Sequence, residues 1–146
     1  MRDDAHPSRR RRIVLLCANL LALPVLSIPA FGFLHYMDLA GIPKFILVGS
    51  VSLIATSLAI WPRAARRSGF SSYALALISA YVPAVLAYGV ALHKLYFDPT
   101  PYYFWKYLEN ALVLGGLFTA AYWLPASLVN FMVLRQAERP GTSVTD

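Results

Sequence analysis

Apolar positions gather in four blocks, 13–34, 45–61, 73–92 and 111–134, and none of them contains Asp, Glu, Lys or Arg. Each block is close to the ~20 residues that an α-helix needs to cross a hydrocarbon core of ~30 Å. The pattern predicts an all-α membrane protein with four transmembrane helices in an up-down bundle, at 13–36, 43–61, 72–94 and 109–134. These form one domain over 1–146, with a basic tail at 1–12, an aromatic outer segment at 95–108 and a second tail at 135–146.

The polar stretches between the blocks set the expected orientation. Segments 1–12, 62–72 and 135–146 hold all ten arginines, whereas the intervening segments hold only Lys44, Lys94 and Lys106. Cationic residues favour the cytoplasmic side when they sit in short segments near span ends. Both termini are therefore expected inside. Composition agrees, because charged residues make up 14% of the chain, well below the roughly 25% usual in soluble domains. The net charge of +6 lies almost wholly on the inner face, where each arginine draws anionic lipid with about 1 kcal/mol. That assigns the run at 9–12 to orientation rather than to nucleic acid. Much Arg and Ala with few Lys suits a bacterial inner membrane.

The first block follows basic residues, as a secretory signal does, and Ser8-Arg9-Arg10 faintly resembles a twin-arginine signal. Its ~22 apolar residues exceed the 7–15 of a signal core, and Ile28 spoils an Ala-x-Ala site ending at Ala30. An uncleaved span is expected. Cys17, the single cysteine, can form neither an internal disulfide nor a cysteine cage, and a buried, inert thiol is expected.

Exceptions within the blocks suggest how the helices pack. Ala76, Ala80, Ala84, Ala87 and Ala91 place small side chains on one face of the third helix. Gly49, Ser52, Thr56 and Ala59 do so on the second, and Gly115, Gly116 and Thr119 on the fourth. Lipid offers no hydrophobic drive between helices, so association relies on close approach along such faces. Asn19 and Asn130 lie at similar depth from the cytoplasmic ends of the first and last helices, which are neighbours in an up-down ring. A hydrogen bond between them would satisfy two amides that lipid cannot. Tyr81 and Tyr88 add polar tips within the third span. Pro24, Pro29, Pro83 and Pro125 predict kinks and a small cavity.

Seven of the twelve residues at 96–107 are aromatic. Thr100-Pro101 reads as a helix start, with threonine as cap and proline at the first helical position. A helix from there to Leu134 would run ~51 Å, too long for a simple span. The expected resolution is a short interfacial helix at 101–108, carrying Tyr102, Tyr103, Trp105 and Tyr107 as an interfacial anchor or a docking surface.

His35 and His93 end the first and third blocks on the same side, and each is followed by an acid, Asp38 or Asp98. Two histidines at matched depth could ligate a haem axially or hold a metal, though helix ends shield a haem poorly. The stretches 34–38 and 92–98 also resemble one another, a weak sign of a duplicated two-helix unit with a period near 60.

The chain carries no Ser-His-Asp set, paired carboxylates, phosphate-binding glycine loop or H-E-x-x-H motif. The acids nearest a span, Asp38, Asp98 and Glu109, all lie on the outer face, and no ionisable group is expected inside the bundle to couple transport to protons. Without a signature for catalysis, the foremost reading is a non-catalytic subunit or accessory protein of a larger membrane assembly, or one that pairs with itself. A small carrier or flippase for a lipid-like or uncharged substrate, acting as a homo-oligomer, is a second reading. A bis-histidine haem electron carrier is the third.

Overall fold

The computed structural model describes residues 6–33, 41–67, 69–91 and 101–136. They form five helices: α1 (His6–Phe33), α2 (Gly41–Ala65), α3 (Gly69–Ala91), α4 (Pro101–Phe118) and α5 (Ala120–Gln136). No strand occurs among the described residues. Three segments, Arg9–Pro29, Gly41–Ala65 and Gly69–Val90, are long and apolar enough to cross a membrane. Trp105–Phe118 and Ala120–Gln136 are bent by 74° at their junction and make a fourth only when the pair is counted as one broken span. Helices satisfy every internal backbone group within themselves, which is what a lipid environment demands, and this is the make-up of a membrane-embedded helical protein.

Helix α1 packs against α2 and α5, α3 lies between α2 and α5, and α4 lies mainly along α3. Burial follows a period of four. On α1 the buried positions are Leu15, Asn19, Leu23 and Ser27, and on α2 they are Phe45, Gly49, Leu53, Ser57 and Trp61. Four residues advance ~400° around a helix, so this stripe drifts ~40° per step. Over its length α2 thus turns successive faces to its neighbours. Gly49 marks a close approach of three helices, since a Cβ there would meet Leu23 Cδ2 at 2.7 Å and Ala87 Cβ at 3.3 Å. The expected face of Gly49, Ser52, Thr56 and Ala59 is only partly buried: Ala59 is exposed and Leu53, Ser57 and Trp61 point inward instead. The period-four drift is the reason.

Half of α3's apolar window is buried, against 22% for α1 and 28% for α2, so α3 is the centre of the bundle. Its alanines at 76, 80, 84 and 87 are fully buried, and their short side chains allow neighbours to approach its backbone. The α2–α3 turn is tied by Ser72 Oγ, which donates to the Ala64 carbonyl at 2.8 Å. Gly69 adopts a φ of 63° there, a left-handed conformation that glycine takes without strain.

The prolines do not break the helices. Secondary structure runs on through Pro24 and Pro29 in α1, Pro83 in α3 and Pro125 in α5. Pro83 lacks the N–H that would bond the Ser79 carbonyl; Thr56 Oγ1 lies 3.5 Å from that carbonyl, but its hydroxyl donates mainly to the Ser52 carbonyl at 2.8 Å. The sharp bend lies elsewhere. The helix beginning at Pro101 continues past 108 to Phe118 and turns at Thr119, so the expected short interfacial helix at 101–108 is instead the first part of α4.

Local chemistry at Thr119 explains the bend. The preceding Gly115 and Gly116 are weak helix formers. Thr119 Oγ1 folds back to the Gly115 carbonyl at 2.5 Å, a bond that bends helices. Its own carbonyl accepts the first bonds of α5, from Tyr122 N at 2.9 Å and Trp123 N at 3.1 Å. The Gly116 carbonyl, one of those a helix end leaves open, accepts from Trp123 Nε1 at 2.6 Å.

Candidate polar cluster between α1 and α5

The two asparagines meet. Asn19 Nδ2 donates to Asn130 Oδ1 at 2.8 Å and to the Leu15 carbonyl at 2.8 Å. Tyr122 OH donates to Asn19 Oδ1 at 3.1 Å. Asn19, Tyr122 and Asn130 are all buried, and Tyr122 also packs in the apolar core with Leu23, Phe45 and Tyr88. It therefore joins that core to the polar pair. Asn130 Nδ2 is buried without an acceptor. Turning the Asn130 amide over would set two N–H groups against each other, so the bonds that fix Asn19 also leave the Asn130 donors open.

Beside the cluster, a groove of about 220 Å³ is lined by Asn19 and Tyr122 together with Ala18, Ala22, Pro125 and Val129. It is apolar apart from the amide and the phenol. The donors that line it, Asn19 Nδ2 and Tyr122 OH, are already engaged within the cluster, so the groove suits an apolar molecule by shape. It has no general base or nucleophile.

Tyr81 and Tyr88 hold α4 onto α3. Tyr81 OH donates to the Leu112 carbonyl at 2.6 Å, and its ring meets Trp123 edge-on at 5.4 Å. Tyr88 is buried and stacks on Phe118 at 5.9 Å. A Cβ on Gly115 would lie 2.8 Å from Tyr88 Cδ1, and one on Gly116 would lie 2.8 Å from the Tyr81 hydroxyl. The two glycines are thus the seats of the two tyrosines. Thr119 is wholly buried at the bend.

Of the expected interfacial group, Trp105 is 67% exposed. Tyr107 turns inward and donates to the Gly89 carbonyl. Tyr102 and Tyr103 belong to the first turn of α4, but their side chains lie outside the described residues, as do His35, His93, Asp38 and Asp98. The haem or metal reading rests on residues outside the described ones. Among the described residues no group of three His, Cys, Asp or Glu could hold a metal ion.

Cys17 is exposed rather than buried. It sits midway between Leu15 and Asn19, ~200° round the helix from each, and so points away from the bundle. Sequence reasoning also missed Tyr122. Its signal was the buried polar series Thr119, Tyr122, Ser127 and Asn130 along one side of α5. A second missed contact, Trp61 Nε1 donating to Ser79 Oγ at 3.1 Å, ties α2 to α3.

Comparison with family models, with curated proteins and with solved structures finds no match for this chain.

Proposed function

We propose that the protein is a non-catalytic accessory subunit of a larger assembly in a bacterial inner membrane, with both termini cytoplasmic. The observation that carries this reading is the position of α4. That helix lies along α3 on one side and leaves Trp105, Val113 and Leu117 each more than 60% exposed on the other. The small-residue faces named above are mostly occupied inside the bundle. Helices α1 and α2 also expose large apolar side chains, and it is the aromatic start of α4 that selects that helix as the docking surface.

The bend supports a definite placement in the bilayer. With α5 along the membrane normal, its 17 residues rise ~25 Å, and α4, with 18 residues inclined by 74°, adds ~7 Å. The sum of ~32 Å matches a hydrocarbon core of ~30 Å. Helix α4 then lies close to the outer boundary, where exposed Lys106 and Glu109 reach headgroups. Leu15, Trp61, Ala64 and Leu134 form one cluster and draw the arginine-bearing ends of α1, α2 and α5 together at the opposite, cytoplasmic end.

A second reading, a carrier for a lipid-like or uncharged substrate, is favoured by the apolar groove beside the Asn19–Tyr122 pair. Native mass spectrometry of protein gently extracted from its own membranes separates the two. A second polypeptide at fixed stoichiometry is expected for the subunit. A homo-oligomer with bound neutral lipid and no other polypeptide would replace it with the carrier, and an added mass equal to haem would overturn both.

A further inference from the structure

The cytoplasmic end of α2 ends in a different kind of surface. Arg63 and Arg66 flank a shallow recess of about 500 Å³ whose other walls are Leu58, Ala59 and Pro62. Arg63 is held in place by a bond from Nη1 to the Ala59 carbonyl, one turn back. Neither guanidinium is ion-paired among the described residues, whose one acid, Glu109, belongs to α4. Neighbouring Arg67 is engaged with Ser71 Oγ at 3.2 Å. Directly above the recess the same side of α2 presents Val51, Ile54 and Leu58, all exposed. Two cations, one of them held by a bond to its own helix, thus cap an apolar rail about two turns long.

We propose that this recess binds one anionic phospholipid, with its phosphate between Arg63 and Arg66 and an acyl chain along Leu58, Ile54 and Val51. Guanidinium groups suit the phosphate because their donors form a planar fork that matches its oxygens. The rail commits the site to a lipid rather than to free phosphate, because a soluble anion gains nothing from exposed leucine and valine. The inference depends on α2 spanning a membrane and is independent of whether a protein partner docks on α4.

The test is native mass spectrometry of the full chain in detergent, titrated with phosphatidylglycerol, phosphatidylcholine or glycerol phosphate. One phosphatidylglycerol should stay bound per chain, and R63Q/R66Q should weaken it about 30-fold, at roughly 1 kcal/mol per arginine. The control R9Q/R10Q removes the same charge from exposed positions on α1 and should change binding less than threefold. Should R63Q/R66Q not accumulate, R66Q alone should cost about fivefold. Equal losses in the two double variants, undiminished binding in R63Q/R66Q, or retention of glycerol phosphate as strong as that of the lipid would overturn the site.

Discussion

Alanine at Asn19 and alanine at Asn130 remove the same side-chain atoms from one contact, yet they should differ in cost. Asn19 takes part in three hydrogen bonds, to the Leu15 carbonyl, to Asn130 Oδ1 and from Tyr122 OH. Asn130 takes part in one, through its oxygen, and its Nδ2 is buried without an acceptor. Side-chain hydrogen bonds in membrane bundles average about 0.6 kcal/mol each. Asn19→Ala should therefore destabilise by about 2 kcal/mol and leave the Tyr122 hydroxyl and Asn130 without partners. Asn130→Ala should cost about 0.6 kcal/mol or less, because it also deletes a buried amide that nothing satisfies. Alanine is preferred to leucine, whose extra volume would overpack the site. Both alanines leave cavities of similar size, so the cavity terms largely cancel. The assay is reversible unfolding in mixed detergent micelles, completed as a double-mutant cycle. A loss at Asn130 equal to or greater than that at Asn19 would refute the bonding scheme.

Gly115→Ala should destabilise by about 1–3 kcal/mol in the same assay, because the new methyl meets the buried Tyr88 ring. Trp123→Phe keeps the ring near Tyr81 but frees the Gly116 carbonyl; it should cost about 1 kcal/mol and broaden the distance distribution between spin labels on α4 and α5. Cys17→Ala should leave stability within about 0.5 kcal/mol of the parent, since Cys17 faces away from the bundle; a loss of several kcal/mol in the micelle assay would show that it is packed.

The apolar blocks made most of the helices legible, because long runs without charge leave little else for the chain to do. The Asn19–Asn130 bond was legible too, from the matched positions of the two asparagines in the first and last apolar blocks, and α1 and α5 do pack together. The small faces pointed correctly to close packing, and Ala76, Ala80 and Ala84 line the interior. The bend was misplaced for a physical reason. The cap signal at Thr100-Pro101 marked the start of α4 correctly. The ~51 Å from there to Leu134 called for a break, but length alone does not say where, and tertiary contacts accompany the one at Thr119. Tyr81 and Tyr88 of α3 seat on Gly116 and Gly115, and Trp123 takes up the carbonyl that the turn exposes. The local signals were Gly115, Gly116 and Thr119, which in the sequence read as a packing face instead of a bend. Cys17 was misassigned because a hydrophobic thiol carries no directional signal, whereas the period-four burial of its neighbours does.

Photo-crosslinking in living cells tests the subunit reading most directly, with the reactive residue placed at Trp105 or Leu117 on α4 and, for comparison, at Leu47 or Leu58 on α2. All four positions are more than 60% exposed, so access alone does not distinguish them. A docking role for α4 predicts one discrete heavier band from positions 105 and 117 and only lipid adducts from 47 and 58. Lipid adducts alone at all four positions, or a band equally strong from both helices, would contradict it.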